Sequence, residues 1–197
     1  MHPLLPLVLL AGLGVQAIWS ARDRWLGRAG LVLVVLCVLH TGYASFRANA
    51  QDGADPREFL VTTQSSREVV QVRDEVVGLA AKAQREGRDL TVLVDSSQGA
   101  TFPWAWYFRD LDVGYLNLDE VSQIPSDTDV VLMTENSREK LRGELAGYDG
   151  RRFPFRVWWV RDYGAMSLRG WWDWYAHRKP WNPTGGLPEW LYVRQGA

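Results

Sequence analysis

The sequence is poor in the residues that build disulfides, metal sites and reactive thiols. Its single cysteine, Cys37, lies in an apolar run, so no internal disulfide can form. The three histidines, His2, His40 and His177, are far apart in the sequence, and no His/Cys cluster has the spacing of metal ligands. The sequence therefore predicts neither a metal ion nor a cofactor.

Nucleotide and nucleic-acid motifs are missing as well. The 22 basic and 23 acidic residues nearly cancel, and no polybasic run appears, so the sequence predicts no nucleic-acid partner. No GxGxxG follows an apolar strand, and no GxxxxGK[ST] occurs. No Ser-His-Asp set stands out either.

Two long uncharged runs occupy the first fifty residues. Residues 3–19 contain no charged side chain, and residues 29–46 contain only His40, which can carry a charge. A membrane-spanning helix needs about 20 apolar residues, with a lower limit near 17. We therefore predict a transmembrane hairpin over residues 1–46. A secretory signal peptide is the alternative for the first run, because VQA at 15–17 resembles a cleavage site, although no Lys or Arg precedes the run.

The charge of the connection between the two runs predicts the orientation. Arg22, Arg24 and Arg28 stand there against one acid, Asp23. Because positively charged short loops remain in the cytoplasm, both ends of the hairpin face outward. The sequence thus predicts a multi-pass protein of the cell membrane with an extracytoplasmic C-terminal domain.

The remaining sequence alternates between strand and helix patterns. A polar linker at 47–57 precedes a predicted α/β domain at 58–197. Capping pairs, Ser65 with Glu68 and Asn136 with Glu139, open two of the helices. The predicted strands are 58–63, 90–97, 113–118, 129–135, 155–164 and 189–194. This alternation predicts a mainly parallel sheet with helices on both faces, a Rossmann-like three-layer sandwich without a nucleotide motif.

Eleven tryptophans are the most unusual feature of the composition, and two of them stand among other aromatic residues in FPWAWYFRD, residues 102–110. Aromatic rings stack on sugars and Arg pairs with phosphate, so the stretch is a candidate ligand site. A second Arg-Asp pair follows another aromatic cluster. The alternative is a buried aromatic helix with two structural ion pairs. The candidate ligand residues are Trp104, Trp106, Tyr107, Arg109, Asp110, Arg161 and Asp162.

A second aromatic cluster, WWDWY, spans residues 171–175. In a helix, its aromatic side chains and the following basic residues suit a membrane interface. The alternative is an acceptor site, because the first three letters match the WWDYG motif of oligosaccharyltransferases. The candidate interface residues are Trp171, Trp174, Tyr175, Arg178 and Lys179.

Three segments together resemble a known family. They are PWAWYFRD followed by VGY, then FRVWWVRDYG, and then KPWNPTGG with the terminal LYVR. In order and spacing they are similar to the C-terminal region of flippase-associated, GT-C-type membrane glycosyltransferases of archaea and bacteria, which lie near the protein O-mannosyltransferases. The resemblance covers most of residues 58–194.

The resemblance implies sugar transfer from a polyprenyl-phosphate donor at the outer membrane face. In that class the catalytic acid lies in an early outer loop of a many-helix bundle, and this chain has no such loop. We therefore expect the C-terminal part of an enzyme, split or truncated, without catalysis of its own. Membrane lipid, a lipid-linked sugar phosphate and an upstream-encoded multi-helix membrane subunit are the expected partners. The alternative is a non-enzymatic, membrane-anchored assembly module of a glycan-handling complex.

Overall fold

A computed structural model describes residues 4–53, 55–59 and 63–197. The chain divides into two compact units, Met1–Gly53 and Ala54–Ala197. The helices are α1 Leu4–Ser20, α2 Trp25–Phe46, α3 Arg67–Arg85, α4 Thr101–Tyr107, α5 Glu135–Lys140 and α6 Leu168–His177. The strands are β1 Thr63–Ser65, β2 Val92–Asp95, β3 Val113–Leu116, β4 Val130–Thr134, β5 Tyr148–Trp158 and β6 Gly185–Arg194.

The first unit is a pair of apolar helices joined by a tight turn. At the turn, Gly27 is buried, and a Cβ there would overlap the carbonyl group of Ala21. A Cβ on Gly30 would lie 3.1 Å from Ile18 of α1. The two glycines therefore permit close packing of the helices next to the turn.

One helix among the described residues is long and apolar enough to cross a membrane. It comprises α2 and its π-helical continuation, Trp25–Gln51 (27 residues), and its most apolar 18-residue window has a mean hydropathy of 1.9. It contains the predicted second span, 29–46. The predicted first span, 3–19, overlaps α1, whose described apolar part, Pro6–Ser20, is shorter.

The second unit is a mixed α/β domain built on one six-stranded sheet of order β1-β5-β6-β4-β2-β3. Strand β2 pairs in parallel with β3 and with β4. The pairings β1–β5, β5–β6 and β6–β4 are antiparallel. The sheet is therefore less parallel than strand–helix alternation predicts. The long segment between β5 and β6 includes α6, yet it returns the chain antiparallel to β5, so a helix between two strands did not fix their relative direction.

Two apolar clusters use alternate residues of the central strands. Val130 and Leu132 of β4 belong to a cluster that includes residues of α3 and α4. Val131 and Met133 belong to the other, with Leu141, which ends α5. All four strand side chains are at most 1% exposed, as expected for a strand covered on both sides.

Helix α3 forms where the periodicity predicts it, and its Val69, Val72 and Val76 are fully buried. Both predicted capping pairs are wrong. The N-cap of α3 is Ser66, and its hydroxyl donates to the Pro154 carbonyl rather than capping the helix. The N-cap of α5 is Thr134, whose side chain accepts from the Ser137 N–H. Each helix thus starts one or two residues away from the predicted cap, where a side chain has a partner on a strand.

Other element boundaries also shifted. The predicted strand at 58–63 falls partly on residues 60–62, which lie outside the described residues. Strand β5 begins at Tyr148, several residues before the predicted 155, because its first half pairs with the end of β6. The predicted helix after Asn136 is short, and a 3-10 turn at Arg142–Leu145 follows it.

Candidate functional site

Three neighbouring strands bring polar side chains to one edge of the sheet. The parallel strands β2 and β4 end at Asp95 and Thr134. In the antiparallel neighbour β6, Glu189 lies directly opposite Thr134. The carboxyl edge of parallel strands is a usual place for ligand sites in α/β proteins. Two buried acids, Asp95 at 1% and Glu189 at 2% exposure, therefore meet at a position with functional potential.

Asp95 is an acceptor for groups from three segments. Its Oδ1 accepts from the N–H of Ser97 at 2.9 Å and of Leu118 at 3.2 Å. Its Oδ2 accepts from the N–H of Thr134 at 3.2 Å and from the Thr134 hydroxyl at 2.9 Å. Burial pushes the Asp95 pKa upward, but hydrogen bonding by Ser137, Ser97 and Thr134 outweighs it, and the pKa lies below its ordinary value. Asp95 is thus an ionised carboxylate whose hydrogen bonds connect the ends of neighbouring strands.

Glu189 has the opposite character. Its Oε2 accepts from the indole Nε1–H of Trp104 at 3.0 Å, and its Oε1 has no hydrogen-bond partner in the described structure. Burial raises the pKa of Glu189 to about 8, with a further upward contribution from the charge of Asp95, against the lowering effects of Trp104 and Arg156. Most Glu189 side chains therefore carry a proton at neutral pH.

Glu189 lines a small cavity at this edge. The cavity has a volume of about 90 Å³. Its wall is formed by Gln98, Ala100, Thr134, Glu135, Asn136, Phe155, Arg156, Leu187, Pro188 and Glu189. The loop after β2 supplies one side of it, where Gln98 has a φ of 52° and Gly99 a φ of 71°. A left-handed backbone at a non-glycine residue is uncommon and often marks a functional loop.

Arg156 connects the cavity with a wider groove. One of its terminal nitrogens donates to the Gly99 carbonyl at 2.6 Å and to the Phe102 carbonyl at 3.3 Å. The groove, of about 950 Å³, is lined by Thr63, Gln64, Ser65, Ser66, Arg67, Val70, Gln71, Phe102, Tyr107 and Arg156. Its surface combines two aromatic rings, two arginines and the N-terminal turn of α3. These groups suit a ligand with a sugar ring and an anionic group.

The stretch FPWAWYFRD is divided between core and surface. Trp104 is fully buried and stacks on Phe108 and Phe155, with ring centres 5.3 and 5.8 Å apart. Trp106 is 61% exposed, and Arg109 lies over its ring at 4.7 Å. Core packing thus accounts for Trp104, whereas Trp106 lies on the surface.

The other candidates in this stretch separate in the same way. Tyr107 lines the groove, and its ring lies under Arg73 at 5.3 Å. Arg109 and Asp110 form a surface ion pair at 3.7 Å and do not line the groove. Phe102, which is 66% exposed, lines it instead.

The second Arg-Asp pair is not an ion pair of the same kind. Arg161 donates to the Phe59 carbonyl at 2.7 Å and lies over the Phe59 ring at 4.5 Å. Asp162 accepts from the N–H groups of Gly164 and Ala165 and shapes a turn. Arg161 and Asp162 therefore lie apart from the groove and hold local structure.

Helix α6 shares its candidate interface residues between the interior and the surface. Trp174 is 9% exposed, donates to the Arg57 carbonyl at 2.7 Å and packs edge-on against Phe59. Arg178 forms a 2.6 Å ion pair with Glu58. Both side chains hold residues 57–59 onto the domain, and Trp174 is too buried to reach a membrane surface.

The remaining interface candidates face outward. Trp171 and Tyr175 stack on each other at 5.4 Å and are 43% and 38% exposed. Lys179 lines a shallow depression beside α6, and Trp172, which is not one of the candidates, is 57% exposed as well. A membrane contact through these side chains remains a prediction.

Sequence reasoning missed Asp95, Arg156 and Glu189. Asp95 carried a signal, since it directly follows the apolar strand LTVLV at the end where α/β sites form. Glu189 carried a weaker one, because it occupies the inward-facing alternation of Leu191 and Val193 in β6. Arg156 carried none, since its position at the groove depends on the loop that follows β2.

Comparison with known proteins adds no further constraint, since no family model, curated protein or solved structure matches the chain. Within residues 4–53, 55–59 and 63–197, no group of three or more His, Cys, Asp and Glu side chains is placed to hold a metal ion.

Proposed function

We propose that the chain is the membrane-anchored C-terminal part of a polyprenyl-phosphate-sugar-dependent glycosyltransferase, and that its α/β domain binds the lipid-linked sugar phosphate. The observation that carries the proposal is the groove, where Phe102 and Tyr107 stand beside Arg67 and Arg156. Aromatic faces suit the C–H surface of a sugar, and guanidinium groups pair with phosphate. The resemblance to GT-C-type enzymes points to the same chemistry.

The groove has the size that such a ligand requires. Sites for small molecules commonly enclose about 300–1,000 Å³, and the groove lies within that range at about 950 Å³. The N-terminal turn of the 19-residue α3 borders it, and the helix dipole there favours an anion, although Glu68 in the same turn offsets part of that effect. The groove is thus suited to the phosphate and sugar portions, while the apolar tail stays in the membrane.

The proposal includes the membrane arrangement. Both α1 and α2 cross the membrane, with Arg22, Arg24 and Arg28 on the cytoplasmic side and the α/β domain outside. We also propose that the α/β domain has a Rossmann-like three-layer arrangement. The charge of the connecting loop supports this orientation. An alkaline phosphatase joined to the C-terminus should be active in the periplasm-equivalent space, and an inactive fusion of normal abundance would contradict the orientation.

Binding is tested on the full chain in lipid nanodiscs with a short-chain polyprenyl monophosphate hexose as the probe. The polyprenol lacking phosphate and sugar is the matched control ligand. Arg156→Gln and Phe102→Ala should each weaken binding about tenfold, which corresponds to the loss of one charge-assisted hydrogen bond or ring contact. Arg109→Gln, which removes a nearby arginine outside the groove, should bind like the wild type.

Melting temperatures of the variants separate binding from folding, because Arg156 also holds the Gly99 and Phe102 carbonyls. Equal affinity for the polyprenol and for the polyprenyl monophosphate hexose would contradict the proposal. We also expect no sugar transfer by the chain alone. If the purified chain does transfer sugar, and replacement of one acidic residue abolishes the transfer, the chain is an enzyme by itself.

The exposed face of α6 favours a second function, a non-enzymatic assembly module of a glycan-handling complex. Leu168 is 92% exposed and Trp172 57%, and Trp171 and Tyr175 lie on the same helix. Exposed apolar clusters commonly mark partner or membrane contacts. Trp172→Ala should release a co-purifying membrane partner if this function is correct, whereas phosphate-dependent hexose binding should be unchanged.

A further inference from the structure

The small cavity beside Glu189 is a gap in the packing of the α/β domain. Its volume of about 90 Å³ equals the space of roughly three water molecules in the liquid. Its wall contains polar side chains from several segments, among them Gln98, Thr134 and Asn136. A cavity of this size is too small for a whole sugar ring, but it accommodates one hydroxyl or hydroxymethyl group.

Glu189 is the most unusual group in this wall. It is 2% exposed, and one carboxyl oxygen is held by Trp104 at 3.0 Å. The other oxygen, Oε1, is buried without a hydrogen-bond partner in the described structure. A buried polar atom left unpaired costs about 1–3 kcal/mol, so such an atom is rare unless something else occupies the site. Glu189 thus lines the cavity and has one carboxyl oxygen without a partner, which together point to a missing polar ligand. Oε1 itself has almost no exposed surface, so a ligand group that binds it must shift the side chain slightly.

The charges around the cavity indicate what kind of ligand it accepts. Glu189 faces Trp104 from α4 and Arg156 from β5, and Asp95 of β2 acts on it through its charge. Glu135 from α5 also lines the cavity. Glu135 and Arg156 carry opposite charges in the wall, so the wall favours neither an anion nor a cation. A neutral group that accepts a hydrogen bond from a protonated carboxyl fits better.

Position links the cavity to the groove. Arg156 lines both, and the loop that it holds, from Gly99 to Phe102, lies between them. This adjacency makes the cavity a candidate for one substituent of a sugar that lies on Phe102 in the groove. The anionic part of the ligand would remain in the groove, near Arg67 and Arg156.

We propose that this cavity is a subsite for one hydroxyl or hydroxymethyl group of a neutral hexose, which accepts a hydrogen bond from the protonated Oε1 of Glu189. This inference rests on the proposed function, since the groove holds the rest of the hexose. Glu189 acts here as a binding residue that reads a hydroxyl group. No covalent step is involved.

The subsite requires a proton on Glu189, so hexose binding must depend on pH. Burial raises the pKa of Glu189 to about 8. Below that value the carboxyl donates to the hydroxyl oxygen. Above it the carboxylate can only accept from a hydroxyl proton, so the donated hydrogen bond on which the subsite rests is lost. Glu189→Gln keeps the shape, the acceptor for Trp104 and a donor at the second position, and it does not ionise.

The test uses the full chain in nanodiscs, with the methyl glycosides of glucose, galactose and mannose as probes. The readout is the NMR signal of the Trp104 indole N–H, assigned with Trp104→Phe. At least one glycoside should shift this signal near pH 6.5, and its affinity should fall about tenfold or more by about pH 9.5. In Glu189→Gln the same glycoside should bind near the wild-type affinity at both pH values.

Three outcomes would overturn the subsite: no glycoside shifts the indole signal, wild-type affinity is independent of pH, or Glu189→Gln shows the same loss at high pH. The glycosides carry no phosphate or lipid, so this test and the test of the groove fail separately. Phosphate-dependent binding of the polyprenyl monophosphate hexose that does not weaken between pH 6.5 and pH 9.5 in the wild type would support the groove and contradict the subsite. Glycoside binding without phosphate-dependent lipid binding would do the reverse.

Discussion

Asp95 and Glu189 are two buried acids at one edge of one sheet, yet their surroundings drive them in opposite directions. Asp95 receives four hydrogen bonds within 3.2 Å, from groups on three segments. Glu189 receives one, from Trp104 at 3.0 Å. Burial raises the pKa of both. For Asp95 the hydrogen-bond donors outweigh this effect, whereas for Glu189 the charge of Asp95 adds to the rise. The comparison separates a structural carboxylate from a carboxyl group that retains its proton for binding.

Trp104, which donates the one hydrogen bond to Glu189, should have the largest effect on stability. This side chain is fully buried and stacks on two phenylalanines. Trp104→Ala should lower the free energy of unfolding by about 3–5 kcal/mol, the usual cost of removing a buried aromatic ring. Chemical denaturation of the full chain in detergent measures the change. A loss below about 1 kcal/mol would mean that Trp104 is not a core residue and that Glu189 lacks its support.

Ionisation of Glu189 should appear in the stability of the domain. The unfolded chain releases this proton near the ordinary value of 4.5, whereas the native protein retains it up to about 8. In between, the native state binds more protons, so wild-type stability falls as pH rises, by a few kcal/mol in total. Glu189→Gln should lack this component. Denaturation at several pH values should give a difference between the two proteins that grows from about pH 4.5 to 8 and then stays constant.

The Asp95 side should respond to loss of charge with a smaller effect. Asp95→Asn leaves donors of Ser97, Leu118 or Thr134 without a carboxylate oxygen, at a cost of about 1.5–3 kcal/mol. Asp110→Asn is the matched control, because that side chain is 85% exposed. The pKa of Asp95 lies below its ordinary value, so its contribution is present above that value and disappears as pH falls through the native pKa. An Asp95→Asn protein as stable as the control variant would contradict the role of Asp95 in connecting the strand ends.

The smallest effect is expected at Trp106. It is 61% exposed and contacts Arg109 through its ring face. Trp106→Ala should change the free energy of unfolding by less than about 0.5 kcal/mol. The contrast with Trp104→Ala, two residues away, tests the division of the stretch between core and surface. A cost comparable to that of Trp104→Ala would show that the whole stretch is core.

The sequence predicted those helices and strands whose conformation depends on the pattern of apolar residues within the segment itself. The spacing of Val69, Val72 and Val76 predicted α3, and the apolar runs at 90–97 and 129–135 predicted β2 and β4. In these segments one periodicity decides both the conformation and the buried face. The direction of β5 and β6 could not be obtained this way, because it depends on which distant strand each one pairs with.

The candidate site was only partly accessible for the same reason. FPWAWYFRD was recognised as unusual, and Phe102 and Tyr107 do line the groove. The sequence could not show that Trp104 points inward to an acid 85 residues away. Nor could it show that Arg156 holds the loop at Gly99, since that contact spans 57 residues. Such long-range pairs appear only once the sheet is assembled.

The protonation of Glu189 at neutral pH is the central claim, and carbon NMR of the full chain measures it directly. The carboxyl carbon of Glu189 is assigned by its absence in Glu189→Gln and followed as pH is raised. We expect a single titration with a midpoint near 8, in line with the burial and the lone hydrogen bond of this side chain. A midpoint near the ordinary value of 4.5 would show a carboxylate at neutral pH and would contradict both the contrast with Asp95 and the hydroxyl subsite.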